Sequence, residues 1–144
     1  MVNLRKTLEE DEGVIYQIYA DHLGYPTFGI GHLITSSDPE YGQPLGTPVS
    51  PTRVQEAFEV DVQIAIDRCK KIYEWDTFPS EVQEILINMT FNLGSLVKWK
   101  NFNSALAARN WKEAAKHGLD SKWARQVPNR AKRLMDRLHA QGST

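Results

Sequence analysis

The stretch VIYQIYADHLGYPTFGIGHLI, residues 14–34, decides the fold. Val14, Tyr16 and Ile18 alternate with other side chains, the period of a strand. His22-Leu23-Gly24-Tyr25-Pro26 interrupts that run, and Thr27-Phe28-Gly29-Ile30-Gly31 resumes an extended pattern. Two short runs about a Gly/Pro turn read as a β-hairpin. Upstream, Leu4 and Leu8 lie one helical turn apart and Gly13 follows, so residues 2–11 read as a short helix. Downstream, Pro39, Gly42, Pro44, Gly46 and Pro48 make residues 35–49 an irregular loop.

From residue 50 the period changes. Ser50-Pro51 supplies a capping hydroxyl and a proline at the first helical position. Val54, Phe58, Val62, Ala65, Cys69 and Ile72 then form one helical stripe, about 30 Å long at 1.5 Å per residue. Ser80 with Gln83 has the form of a capping box, and Val82, Ile85, Leu86, Met89 and Leu93 share a face before Gly94. Asn110 with Glu113 repeats the capping pattern for a helix ending near Gly118. Pro128 opens a last helix with Ala131, Leu134, Met135 and Leu138 inward. A small sheet flanked by helices, followed by helices alone, is the α+β class.

Composition narrows the function classes. Hydrophobic residues are 41% and charged residues 24% of 144, ordinary for a globular chain. The single cysteine, Cys69, excludes an intrachain disulfide and a cysteine-based metal site. No stretch approaches a membrane span. Met1–Glu12 lacks the apolar run of a secretory signal, so a route of self-export is not expected. The net charge of −1 hides a split: residues 1–67 hold 11 acidic and 3 basic side chains, residues 68–144 hold 7 and 14. A basic half is suited to an anionic polymer.

Glu12 lies where the first helix gives way to a strand, and Asp21 where that strand enters its turn. Splitting a glycosidic bond needs one carboxyl that donates a proton and a second, ionised one that activates water or attacks the sugar. Thr27 opens the second hairpin strand, where its hydroxyl can position a water beside Asp21. Other chemistries lack their signatures. Gly29-Ile30-Gly31 has no third glycine and opens no helix, so it is not a nucleotide loop. There is no HExxH zinc spacing around His32 and no G-x-S-x-G elbow. Arg125, Arg130, Lys132, Arg133 and Arg137 make a basic helix, but no nucleic-acid-binding motif accompanies it.

Asp11-Glu12-Gly13, Ile18-Tyr19-Ala20-Asp21 and the run Gly24 to Leu33 resemble the T-even-phage type of lysozyme, the endolysin family of muramidases. The resemblance continues through Phe58-Glu59-Val60-Asp61-Val62, Ile87 to Gly94, Phe102-Asn103-Ser104, Trp111 to Ala115, Ser121-Lys122-Trp123 and Gln126 to Arg133. It implies a two-lobed α+β fold: a sheet lobe over about 13–58, a linking helix over about 51–74, and a helical lobe over about 75–144 joined by helix 2–12. It implies hydrolysis of the β-1,4 bond between N-acetylmuramic acid and N-acetylglucosamine in peptidoglycan, for host cell lysis. Inversion is expected because Thr27 with Asp21 can hold a water on the face opposite Glu12. Glu12 falls on the general acid, Asp21 on the second carboxylate and Thr27 on the water-positioning threonine. Leu33, Phe91 and Asn92 match residues lining the substrate site. Arg130 matches an arginine paired with the acid, and His32 with Asp61 a pair tying sheet to helix. No metal or cofactor is implied. A monomer is expected, held in the host cytoplasm until a holin-type pore releases it to the wall, with no membrane insertion and no nucleic-acid partner.

Loop 35–49 is shorter and richer in proline than in the best-known members, and the overall charge is less basic. Three rival readings remain. A lytic transglycosylase or chitinase would give an anhydro product or cleave chitin. A glycan-binding module would need no Glu12/Asp21/Thr27 set. A nucleic-acid binder would use the basic half.

Overall fold

The computed structural model describes residues 3–142. Seven helices and a small antiparallel sheet follow in the order α1 (Leu4–Glu12), β1 (Ile15–Ala20), β2 (Pro26–Gly29), β3 (His32–Leu33), α2 (Pro51–Lys70), α3 (Ser80–Leu93), α4 (Lys100–Ala107), α5 (Trp111–Leu119), α6 (Lys122–Gln126) and α7 (Pro128–Gln141). This is an α+β fold. It divides into two compact units, with the break inside α2 between Gln63 and Ile64. The division groups α1 with the sheet, whereas the resemblance assigns it to the helical lobe. One tie is visible in the Arg5 guanidinium, 5.7 Å from the centre of the Phe58 ring.

In the first unit the sheet order is β1-β2-β3. Tyr19 pairs with Thr27, and Thr27 with Leu33, so these three side chains form a row across one face. Ile18 and Phe28, one residue away on their strands, point to the other face and are fully buried. Gly29 carries a left-handed φ of 64°, and a Cβ there would come within 3.1 Å of Val54 on α2. Only glycine meets both demands. The two-residue strand β3 was not legible in the sequence pattern. Nor was the return of the proline-rich loop: Gly46 and Val49 donate to Ile18 and Tyr16, and Ile18 donates to Thr47. That loop covers the outer edge of β1, satisfying groups an edge strand leaves open.

The helix starting at Pro51 is capped as its sequence suggests, Ser50 Oγ accepting from the Arg53 amide at 3.1 Å. Val54, Phe58, Ala65 and Cys69 are buried along it. It ends at Lys70, so Ile72 lies in the following turn.

In the second unit α3 is buried almost all round, with Val82, Ile85, Leu86, Ile87 and Met89 at 0% exposure. A helix hydrophobic on every side belongs inside a core. The capping box read at Ser80 does not form. Pro79 takes the cap position, Ser80 is the first helical residue, and Gln83 Nε2 donates to the Trp75 carbonyl at 2.9 Å. Asn110 does cap α5, accepting from the Glu113 amide at 3.2 Å. Ala131, Leu134, Met135 and Leu138 are buried on α7, which opens at Pro128. The short helices α4 and α6 carry too few turns for a periodicity argument; Phe102, Leu106 and Trp123 bury them. Among the described residues no helix is long and apolar enough to cross a membrane.

Candidate active site

Three carboxyl- and hydroxyl-bearing residues singled out in the sequence lie in the first unit. Glu12 ends α1, where Gly13 turns the chain with φ 77° and its amide closes on the Glu9 carbonyl. Behind Glu12 stands Gly31, with φ 62°; a Cβ there would sit 3.0 Å from Glu12 Oε1. The glycine is what lets the carboxyl lie against the backbone.

Asp21 follows β1 and holds the turn to β2. Its Oδ1 accepts the amides of Leu23 at 2.9 Å and Tyr25 at 2.8 Å. This is the local bonding that lets aspartate initiate a turn. With Oδ1 committed, Oδ2 is the oxygen available for chemistry. Thr27 is 4% exposed, and its hydroxyl donates to the Tyr25 carbonyl at 3.0 Å. Its proton being used there, Oγ1 faces other partners as an acceptor.

Tyr19, which the sequence reading left out, stands opposite Thr27 and two residues before Asp21. Burial raises its phenol pKa, and the negative charges of Glu12 and then Asp21 raise it further. Both carboxylates therefore act on one phenol. The period-two spacing Tyr19–Asp21 was the available signal. Leu33 ends the row at 50% exposure, an apolar side chain open to a ligand.

On the opposite face His32 packs against Phe28, ring centres 4.9 Å apart. Its Nδ1 lies 2.7 Å from Asp61 Oδ2 and its Nε2 2.9 Å from Asp38 Oδ2. Burial would lower the His32 pKa. Hydrogen bonds to Asp61 and Asp38, and the charges of both, overcome this and hold it above its ordinary value. Burial likewise works to raise Asp38, but the Thr35 amide, His32 and Arg53 hold it low. Arg53 forks onto Glu40, Nε to Oε2 at 2.9 Å and Nη2 to Oε1 at 3.0 Å, and also reaches Asp38 at 3.1 Å. The hydrogen bond from Arg53 lowers the Glu40 pKa. Asp38, Glu40 and Arg53 were not singled out from sequence, because their partners are set by how the irregular loop folds.

Phe91, Asn92 and Arg130 lie in the second unit. Phe91 is half-buried on α3, and Asn92 Oδ1 accepts from the Trp123 indole at 2.7 Å. Arg130 is buried, its Nε donating to Asn88 Oδ1 at 2.9 Å and its Nη2 to the Asn88 carbonyl. Among the described residues no group of three or more His, Cys, Asp or Glu is disposed to hold a metal ion.

The α+β fold and the sequence match define a lysozyme-type glycoside hydrolase. The chain belongs to the phage lysozyme family, which matches residues 9–141. Over 92% of its length it is 32% identical to the pre-baseplate central spike protein Gp5 of Enterobacteria phage T4, of which it spans 27%. It is 29% identical to the probable T4-type lysozyme 1 of Dictyostelium discoideum, covering 92% of this chain and 91% of that protein. It is also 29% identical to the peptidoglycan hydrolase gp36 of Pseudomonas phage phiKMV, covering 94% of this chain and 15% of that one. The chain is thus comparable in extent to the Dictyostelium protein and a small part of the two phage proteins.

Gly31→Ala tests the support behind Glu12. A left-handed φ costs a residue with a Cβ about 1–2 kcal/mol. The new methyl would also meet the Glu12 carboxyl at 3.0 Å, so this flexible side chain must give way slightly. The expected outcome is a folded, slightly less stable protein with reduced activity. Circular-dichroism melting and reducing-end release check it; near-normal activity would show that Gly31 does not set the Glu12 position.

Proposed function

We propose that this chain is a muramidase that cleaves the β-1,4 bond between N-acetylmuramic acid and N-acetylglucosamine in peptidoglycan, with inversion, in host cell lysis. The observation that carries the reading is the polarity of Asp21 and Thr27. Asp21 has one oxygen bound to turn amides, and Thr27 has its proton bound to Tyr25. Both therefore present acceptors. A water between them gives a hydrogen to each, which turns its lone pair outward toward an anomeric carbon.

Glu12 donates its proton to the leaving glycosidic oxygen as that carbon–oxygen bond breaks. The water oxygen attacks the anomeric carbon from the opposite side, and its proton passes to Asp21. The new sugar hydroxyl has the opposite configuration. We assign Arg130 to the Glu12 carboxyl as its cationic partner, and Leu33, Phe91 and Asn92 to the sugar. No cofactor enters this scheme. By the same reading the protein acts as a monomer, waits in the host cytoplasm and reaches the wall through a holin-type pore.

The test is mass and reducing-end analysis of fragments released from purified peptidoglycan, with proton NMR of the earliest product. New N-acetylmuramic acid reducing ends with inverted configuration are expected. An anhydro product indicates a lytic transglycosylase, and retention overturns the water mechanism. Inverting enzymes hold their carboxyls about 6.5–9.5 Å apart, retaining ones about 5–5.5 Å.

A further inference from the structure

The face that carries Asp21 and Thr27 has a shortage of donors. A sugar of peptidoglycan presents hydroxyl, ring and acetamido oxygens, and each needs a donor when water is excluded. Asp21 offers only acceptors, and the hydroxyl proton of Thr27 is committed to the Tyr25 carbonyl. Leu33 has no polar atom. The proton of Glu12 is consumed by the reaction. Tyr19 is the remaining member of the row, directly across β1–β2 from Thr27. Its hydroxyl has no hydrogen-bond partner among the described residues, and its ring is half-buried. We propose that Tyr19 is a substrate-binding residue whose phenol donates a hydrogen bond to a hydroxyl or acetamido oxygen of the N-acetylated sugar attacked between Glu12 and Asp21. This rests on the glycan-cleaving reading above.

The surroundings fit that task. Burial and the two neighbouring negative charges keep the phenol in its neutral, donating form. A tyrosine ring also gives a sugar an apolar surface at low entropic cost, with the polar group at its tip.

The experiment compares Tyr19→Phe with the wild type on peptidoglycan. It also compares Glu12→Gln with Glu12→Gln/Tyr19→Phe for binding to uncross-linked glycan chains. Phenylalanine keeps the ring and removes only the hydroxyl. A neutral hydrogen bond contributes about 1 kcal/mol, so kcat/KM should fall about fivefold to tenfold. Affinity in the Glu12→Gln background should fall by a similar factor, with the melting midpoint unchanged. Equal kcat/KM and equal affinity, with an active wild type, would overturn the proposal. So would an activity loss no larger than the loss of folded protein. A wild type that releases no reducing ends would instead defeat the muramidase reading, and the binding comparison would still decide whether Tyr19 holds the glycan.

Discussion

Glu12→Gln is expected to leave a folded protein that releases reducing ends from peptidoglycan 10²–10⁴-fold more slowly, the usual contribution of general acid catalysis. Glutamine has nearly the same shape, and the space made by Gly31 accepts it as readily as the acid. What it lacks is a proton to give to the leaving oxygen. Circular dichroism should show the variant folded, because Glu12 lies at the end of α1 with the cap of Gly13 intact; a change in melting midpoint would report its partners, not its proton. A variant that works at more than about a tenth of the wild-type rate would remove Glu12 from the role of acid.

The second large effect concerns stability. His32→Asn should cost about 3 kcal/mol near pH 5, because it strips one cation from two carboxylates in a mostly buried cluster. The His32 side chain is 11% exposed, and its partners Asp38 and Asp61 are 15% and 22% exposed. The His32 pKa is raised, so its contribution is complete below the unfolded value of about 6.5 and is lost as pH rises through the folded value. The Asp38 pKa is lowered, so its contribution is present above about 3.9 and is lost as pH falls through the folded value. The two together help most between about pH 4 and 6.5. Denaturant unfolding of both proteins from pH 4 to pH 10 measures this. A penalty that is the same at pH 5 and pH 10 would mean that protonated His32 is not what binds these carboxylates.

The cluster also shows where sequence reading stops. The hairpin was legible because alternation and a Gly/Pro turn are local signals. The caps at Ser50 and Asn110 were legible for the same reason. Asp38 and Glu40 sit in a stretch whose prolines and glycines say only that it is irregular. Their meeting with His32 and Arg53 depends on a loop path that no period encodes. Ser80 and Gln83 had the right spacing for a capping box, but Pro79 took the cap and the neighbouring Trp75 carbonyl took the glutamine. In the candidate site, Glu12, Asp21 and Thr27 stood out by residue type and order. Tyr19 did not, because an aromatic residue in a strand is ordinary, and only the pairing register puts it beside Thr27.

The sheet-side residues assigned to the reaction all fall between Glu12 and Leu33, within one helix end and one small sheet. Contacts between such near neighbours along the chain cost little loop-closure entropy and are the kind that form quickly. The residues proposed as acid and water-holding pair thus meet by local closure of a helix end and a hairpin, against which α2 and the 46–49 loop then pack. The order of these groups along the chain is written in about twenty consecutive residues, while α2 and the returning loop brace the sheet that carries them.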